Sequence, residues 1–246
     1  MTKEPGPTPS RRASDRGRYG RLSRERVLVS ALALVDREGL SALSMRRLGA
    51  ELGVEAMALY RYAASKDALL DGLVEALYLE LEEQLTAGRD EGADWRAGLH
   101  RVARATYDVC LAHPRAVPLL ATRLLAVPLA RRPAAVLRDH ERVLALLRQS
   151  GFDEATSSAV FRAFTAWLLG YVAVELRPVV DNPDETDPAF RLGLHRLSAK
   201  ELPTLRETAA ALAERGGPEG LAAGLDALLD GFTGGSGCGS PSAASR

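Results

Sequence analysis

Side chains that could contact nucleic acid lie close together between residues 44 and 66. Arginine can form two hydrogen bonds with a guanine, and Arg46 and Arg61 are candidates for this role. Ala56, Met57 and Ala58 can offer only apolar contact, for example to a thymine methyl group. Because few of these groups can read a base by hydrogen bonding, sequence selectivity would depend on the two arginines, on the N-terminal arm and on DNA shape.

Two short helices joined by a tight turn would position these side chains. Leu48 and Leu52 lie four residues apart and therefore share one helical face. Gly49 between them would let a second helix approach closely, and Gly53 would end the first helix with a positive φ angle. The inward positions expected after the turn are Val54, Leu59 and Tyr62.

A further helix is predicted at 24–38, where Leu28 and Leu32 belong to an apolar stripe that could cover the back of the pair. Ser44 is placed to cap the first helix of the pair, and Ser65 to cap the helix that follows it. This arrangement is that of a helix-turn-helix, whose second helix enters the DNA major groove. An ordinary helical hairpin inside an all-helical domain is the alternative that these positions leave open.

The segment 22–71 resembles the tetracycline-repressor (TetR) family of one-component regulators. The matching residues are Val27-Leu28, Ala31-Leu32, Leu34-Val35, Gly39-Leu40, Leu43 to Arg46, Leu48 to Val54, Leu59-Tyr60, Tyr62, Lys66 and Leu69-Leu70. The match is much looser over the rest of the chain. The resemblance implies a DNA-binding homodimer with a second, helical domain for a small-molecule effector.

The resemblance also implies contacts to the DNA backbone. Tyr60, Tyr62 and Lys66 are similar to positions where the family sets a hydroxyl or an ammonium group against a phosphate. The N-terminus of a helix suits a phosphate as well. The candidates there are Ser44, Met45 and either Arg46 or Arg47. Such contacts would position the protein without selecting a sequence.

Composition favours an all-α protein, because aromatic residues are only 5% of the chain and no alternating Val, Ile and Thr runs occur. The net charge is zero, but residues 1–66 hold 13 Lys and Arg against 7 Asp and Glu, and the other 180 hold 19 against 25. Positive charge therefore accompanies the helix-turn-helix. Without a leader peptide or a membrane-spanning apolar stretch, we expect a cytoplasmic protein with no membrane partner. Cys110 and Cys238 are expected to be free thiols.

Four sections are predicted: an arm at 1–21, the DNA-binding domain at 22–69, an effector and dimerisation domain at 70–233, and a tail at 234–246. The arm and the tail have no apolar periodicity and are expected to be disordered. The arm contains Arg12 and Arg18 among its arginines, which could neutralise phosphates or enter a narrow minor groove. A solvated leader without a role is the alternative.

The second domain is predicted to hold the effector among interrupted helices. His113-Pro114, Val117-Pro118, Val127-Pro128 and Arg132-Pro133 are expected to break this region into short pieces and so to open space for a pocket. The helix that ends at about Leu176 concentrates aromatic residues at helical spacing, and these could be core or pocket. Gly170 is expected to permit close approach of another helix, and the resemblance implies that this helix and the last one, at 219–232, pair across a two-fold axis in a dimer. The candidate effector-binding residues are His100, Arg104, Tyr107, Thr122, Arg123, His140, Phe164 and Trp167.

Two other classes of function were weighed. The histidines could act as catalytic bases. The sequence contains no HExxH, GxSxG, Gly-rich phosphate loop or CxxC pair, so we expect no catalysis, metal or cofactor. An architectural DNA-binding protein without an effector is the second alternative. The favoured interpretation is a homodimeric regulator, a repressor that a small, mostly apolar effector releases from a palindromic operator.

Overall fold

Helices account for the regular structure. The structure, a computed structural model, describes residues 22–87, 94–176, 185–187, 190, 192–196, 198 and 200–233, and no strand occurs in these ranges. The predicted all-α class is confirmed. The α-helices described are α1 (Arg24–Glu38), α2 (Met45–Leu52), α3 (Ala56–Leu59), α4 (Lys66–Ala87), α5 (Trp95–Ala112), α6 (Val117–Ala126), α7 (Ala134–Gln149), α8 (Glu154–Glu175), α9 (Pro203–Glu207), α10 (Ala209–Ala213) and α11 (Gly217–Thr233). Short 3-10 helices occupy Leu40–Ala42, Leu129–Arg131 and Leu194–Arg196.

The chain forms two compact units that divide between Ala76 and Leu77. This division lies inside α4, as does the predicted boundary between residues 69 and 70. In the first unit, α1 to α3 and the first part of α4 surround a core that includes Leu34, Leu48 and Leu59, each fully buried. The arm at 1–21 and the tail at 234–246 lie outside the described residues.

Side-chain caps start several helices, one of them at the predicted Ser65. The backbone N–H of Arg26 donates to Ser23 Oγ at 3.1 Å, and that of Ala68 donates to Ser65 Oγ at 3.0 Å. The N–H of Thr156 donates to Asp153 Oδ1 at 2.7 Å at the start of α8. Each cap satisfies a backbone donor that the first turn of a helix leaves without a partner.

The second unit is built around α5 and α8. α5 packs against α7, α8 and α11, and α8 packs in addition against α6 and α7. The core includes Leu99, Leu147, Val160, Leu225 and Leu229, all fully buried. α8 and α11 are in contact within one chain, and Trp167 lies 2.8 Å from where a Cβ on Gly224 would be.

The prediction that Val117-Pro118 breaks the chain is wrong, because Pro118 lies in the first turn of α6. Proline is tolerated there, since the first N–H groups of a helix have no partner within the helix. The other prolines act as predicted: α6 ends before Pro128, and Pro133 caps α7.

α8 corrects one expectation. Its 22 residues are long and apolar enough to cross a membrane by length and composition, although the sequence analysis expected no such stretch. Only part of that length is buried within the chain, through Val160, Phe164, Leu168 and Val172. A Cβ on Gly170 would meet nothing within 4 Å among the described residues, so no helix described in the same chain approaches closely there.

Candidate nucleic-acid interface

The turn between α2 and α3 sets the geometry of the interface. Ser44 caps α2 by accepting a hydrogen bond from the Arg47 N–H at 3.1 Å, and Gly53 ends it with φ of +67°. A Cβ on Gly49 would lie 2.9 Å from the Val54 carbonyl oxygen, so α2 and the start of α3 cross at a distance that only glycine permits. The roles predicted for both glycines are confirmed.

α3 is a single turn, and its side chains divide between core and surface. Leu59 is fully buried and Ala58 is 9% exposed, whereas Met57 is 74% exposed. The prediction that Ala58 faces DNA is therefore wrong, because a one-turn helix needs two of its four side chains to hold it against the core. Ala56 is half-buried.

Met45 is also wrongly predicted as a DNA contact. Its side chain is 8% exposed and shares the inward face of α2 with Leu48 and Gly49, at spacings of three and four residues. Two positions before the tight turn face outward instead: Ser44 and Arg46 are exposed.

Arg46 and Arg47 differ in their partners. Arg47 donates to both Glu38 oxygens and to Glu51 Oε2, the last at 3.2 Å. These contacts lower the pKa of Glu38, chiefly through its hydrogen bond with Arg47, and raise that of Arg47. Arg46 makes no hydrogen bond or ion pair within the described residues. Of the two arginines suggested as phosphate contacts, Arg46 is therefore the one whose guanidinium group is available.

After α3, Tyr60 and Tyr62 have different environments. Tyr60 is 44% exposed, whereas the Tyr62 hydroxyl donates to the Leu22 carbonyl at 2.9 Å and ties the start of the described chain to the turn after α3. The expectation that this hydroxyl serves a phosphate is corrected, because its proton is already committed. Arg61 and Lys66 are exposed. Arg12 and Arg18 lie outside the described residues.

The predicted effector residues contact different partners. The rings of Tyr107 and Trp167 both lie near the Tyr171 ring, at 6.4 Å and 5.5 Å between centroids. His140 instead contacts Phe161, at 5.1 Å between centroids. Phe164 is 2% exposed within the apolar stripe of α8 and is a core residue.

The polar members of that set lie nearer the surface. Arg104 and Thr122 are exposed, and each is held by its own helix: Arg104 Nε donates to Asp108, and Thr122 Oγ1 donates to the Pro118 carbonyl at 2.8 Å. Their assignment to an interior wall is corrected on this ground. His100 Nε2 lies 2.8 Å from Asp226 Oδ1 on α11, and Arg123 is half-buried.

An open concavity of about 630 Å³ runs along the second half of α4. The residues that line it are Leu79, Glu82, Glu83, Thr86 and Ala87. None of the eight predicted effector residues is among them. This concavity therefore gives no support to that set.

Sequence reasoning missed two buried polar groups, Asp139 on α7 and Ser157 on α8. Ser157 is 1% exposed, and its Oγ has no hydrogen-bond partner within the described chain; the same holds for Asp139 Oδ1 and His140 Nδ1. Burial raises the pKa of Asp139 to about 6, against the opposing effect of Arg142. Burial, together with Arg132, lowers the pKa of His140 to about 4. The available signal was a serine within the apolar stripe of α8, one turn before Phe161.

Two family models match the chain. One, described as bacterial regulatory proteins of the tetR family, matches residues 27–73, and the other, the tetracyclin repressor-like C-terminal domain, matches residues 87–234. The second model covers more than half of the chain. The chain belongs to the TetR family. It is thus a DNA-binding transcriptional regulator of a family whose members respond to small molecules and form dimers. TetR-family regulators are in general not enzymes.

Relatives of known role agree with this family. The chain is 32% identical to the transcriptional repressor DrrR1 of Streptomyces coeruleorubidus, over 67% of this chain and 58% of that protein. It is 32% identical to a helix-turn-helix (HTH)-type transcriptional regulator of Saccharopolyspora erythraea, over 73% and 71% of the two chains. The crystal structure of Streptomyces coelicolor ActR in complex with actinorhodin is similar with a TM-score of 0.68 at 26% identity, over 88% and 99%.

Proposed function

We propose that this protein is a dimeric repressor whose two α3 helices read successive major grooves of a palindromic or near-palindromic operator. The observation that carries the proposal is the exposed set around the α2–α3 turn, in which the Arg46 guanidinium has no partner among the described residues and Met57 is 74% exposed. Arg46 and Arg61 would read guanine edges, and Met57 a thymine methyl group. Two copies would lie one turn of DNA apart, roughly 34–36 Å.

Backbone contacts would fix the register of the dimer on DNA. Tyr60, Lys66 and the N-terminus of α2 at Ser44 are the groups that suit phosphates. Ala56 would approach the bases without hydrogen bonding. Arg12 and Arg18 of the arm would add phosphate or minor-groove contacts, in keeping with the excess of positive charge in residues 1–66.

We propose that an effector acts through α4, because this helix belongs to both units. Its second half is held within the second unit by Glu82, which pairs with Arg138 of α7 at 2.8 Å, and by Glu80, 3.0 Å from His113. An effector that binds more tightly when α7 takes a different position would shift α4. It would thereby change the spacing of the two DNA-binding domains in the dimer. Effector and operator must then oppose each other reciprocally. The ActR complex with actinorhodin, in a relative of 26% identity, supports a small-molecule effector.

The same reasoning favours a cytoplasmic regulator over the other classes. Cytoplasmic location follows from an operator on the bacterial chromosome, and a role in transcription needs no catalytic group.

The second unit keeps five of the candidate effector contacts: His100, Tyr107, Arg123, His140 and Trp167.

The test is fluorescence anisotropy of the purified protein against tiled duplexes from the region around its own gene, at two salt concentrations. Saturable binding to one tile, at least a hundredfold tighter than to unrelated DNA, is expected. Equal and steeply salt-dependent binding to every tile would instead favour an architectural protein.

The arm is tested with the same duplex. Deleting residues 1–20 should weaken operator binding and flatten its dependence on salt, because each lost phosphate contact removes released counterions. An unchanged affinity with an unchanged salt slope would show that the arm has no part in binding.

A further inference from the structure

The Tyr62 hydroxyl holds the point at which the N-terminal arm joins the rest of the first unit. It donates a hydrogen bond to the Leu22 carbonyl oxygen at 2.9 Å, between residues that lie 40 positions apart in sequence. Leu22 is the first described residue and directly follows Arg21, the last residue of the arm. The backbone bonds of α1 begin one residue later, where the Val27 N–H donates to the Ser23 carbonyl at 3.0 Å. The Leu22 carbonyl therefore serves as an attachment point for a side chain from elsewhere in the unit.

Tyr62 is itself fixed to α3. Its backbone N–H donates to the Leu59 carbonyl at 2.8 Å, and Leu59 is fully buried. The two residues just before it, Tyr60 and Arg61, are exposed members of the proposed DNA-contact set. One side chain thus joins the start of the arm to the end of the segment that would read DNA.

Two other contacts hold the start of α1 independently of Tyr62. Ser23 Oγ accepts from the Arg26 N–H at 3.1 Å, and Arg24 Nη2 lies 2.7 Å from Glu75 Oε2 on α4. Both contacts lie after Leu22 in sequence, so they remain when the Tyr62 hydroxyl is removed. Loss of this hydroxyl should therefore release Leu22, and with it the arm, while α1 stays in place.

The arm carries most of the excess positive charge near the reading surface. Residues 1–21 hold six Lys and Arg against two Asp and Glu, whereas residues 22–66 hold seven against five. Arg18 stands four residues before Leu22, so chain length alone keeps its Cα within about 13–14 Å of that residue. A tether whose end is fixed beside the reading surface raises the local concentration of its arginines at any DNA bound there.

We propose that Tyr62 is a positioning residue for DNA binding: its hydrogen bond to the Leu22 carbonyl directs the arginines of the arm onto the phosphates beside the groove that α3 enters. This inference rests on the proposed function, and it adds how the arm is delivered to the duplex. Tyr62 does not touch DNA in this role. Tyr60, two residues earlier, contacts a phosphate directly, so the two tyrosines act in different ways.

The test is a double-variant cycle in the full chain, read by fluorescence anisotropy at several salt concentrations. Tyr62→Phe should weaken operator binding by roughly three- to tenfold and lower the slope of log affinity against log salt by about one or more. The arm variant replaces five residues with Gln: Arg11, Arg12, Arg16, Arg18 and Arg21. In the arm variant, Tyr62→Phe should change affinity by less than about twofold, because the contacts that it positions are already gone.

Tyr60→Phe is the matched control, since it removes the same hydroxyl from a tyrosine that contacts DNA directly. It should weaken binding by the same factor with the natural arm and with the arm variant. An equal loss from Tyr62→Phe in both backgrounds would mean that its hydroxyl contacts DNA or supports α3, and would overturn the proposal. Unchanged affinity and salt slope in Tyr62→Phe, or in the arm variant, would overturn it as well.

Two further measurements separate positioning from a loss of stability. Tyr62→Phe should lower the melting temperature by only about 2–4 °C, which keeps the protein folded during the binding assay. In hydroxyl-radical footprints of the operator, Tyr62→Phe should lose the same protected positions as the arm variant and keep the others. Loss of positions that the arm variant still protects would contradict the positioning role.

The same cycle on an unrelated duplex separates this inference from the proposed repressor. Coupling between Tyr62 and the arm on that duplex, with no tile bound more tightly, would support the positioning role and contradict a sequence-specific repressor. Tight binding to one tile without such coupling would overturn the positioning role and leave the repressor standing.

Discussion

Arg46 and Arg47 are adjacent in sequence, but only the Arg47 side chain forms ion pairs among the described residues. Arg47 joins α2 to the end of α1 through Glu38 and to its own helix through Glu51. Arg46 is exposed and makes none of these pairs. Because both side chains carry the same charge, a difference in operator affinity between their alanine variants shows which guanidinium group contacts DNA.

Arg46→Ala should lower operator affinity by about 1–3 kcal/mol, roughly 5–150-fold, because a guanidinium that reads a base is lost. Arg47→Ala, the matched control, should leave affinity close to that of the unsubstituted protein and mainly lower the melting temperature. Anisotropy and thermal unfolding of both variants check this. If Arg47→Ala lost more affinity than Arg46→Ala, the assignment would be reversed.

Asp139 and His140 should give opposite pH dependences to stability. The folded state raises the pKa of Asp139 from 3.8 to about 6 and so holds an extra proton, which makes stability fall as pH rises through this range. It lowers the pKa of His140 from 6.5 to about 4 and so binds fewer protons, which makes stability rise with pH. The charges near these groups are Glu82 and Arg142 for Asp139, and Arg132 for His140.

Replacing either residue should reveal the contribution of the other to the pH dependence of stability. Between pH 4.5 and 6.5, Asp139→Asn should gain stability with pH relative to the unsubstituted protein, because only the His140 contribution remains. His140→Phe should lose stability with pH over the same interval. Melting temperatures at half-unit pH steps give the comparison, and parallel curves for all three proteins would refute the assigned shifts.

At the scale of elements, the crossing of α2 and α3 depends on backbone contact. The atoms near a Cβ on Gly49 are the Val54 carbonyl oxygen at 2.9 Å and the Ala56 backbone nitrogen at 3.2 Å. Backbone atoms cannot move aside as a flexible side chain can. A methyl group there has to push α3 away from α2.

Gly49→Ala should therefore destabilise the protein by about 1–3 kcal/mol and weaken operator binding, because α3 carries the exposed Met57. Gly231→Ala is the matched control: it lies in α11 with nothing within 4 Å of its Cβ position among the described residues, and should be neutral or stabilising by up to about 1 kcal/mol. Denaturant unfolding and anisotropy report the two effects. Equal stability of both variants would contradict the tight crossing.

At the scale of the whole molecule, α8 exposes apolar surface that the described residues of one chain do not cover. Val174 is 68% exposed, and a Cβ on Gly170, one turn before it, would meet nothing within 4 Å among those residues. TetR-family proteins are dimers, and the sequence analysis expected α8 and the last helix to pair across a two-fold axis. This surface of α8 is where we expect the second copy to pack.

Val174→Glu should shift the protein from dimer to monomer, because a carboxylate would be buried against its symmetry mate. Operator binding should fall with it, since a monomer contacts only one half-site. Leu111→Glu, at a 49% exposed position on α5, is the control and should stay dimeric. Sedimentation velocity at several concentrations measures the outcome, and a dimeric Val174→Glu protein would place the interface elsewhere.

The sequence determined the helices and the turn because these depend on local patterns. Ser44, Gly49 and Gly53 predict a capped helix, a close crossing and a left-handed end, and the structure has all three. The family followed from the same stretch. Such features need only the side chain at one position and its neighbours within a turn.

Only the tertiary structure decided which residues of a predicted helical face are buried and which polar groups are paired. Met45 and Ala58 pack inward, and Arg47 pairs with Glu38. The buried Ser157 hydroxyl has no hydrogen-bond partner among the described residues. Helical spacing assigns a residue to a direction, but partners far along the chain decide how wide the buried face is and which polar groups they satisfy. The surface available for DNA contact and the state of the Ser157 hydroxyl therefore emerge only once the helices are packed.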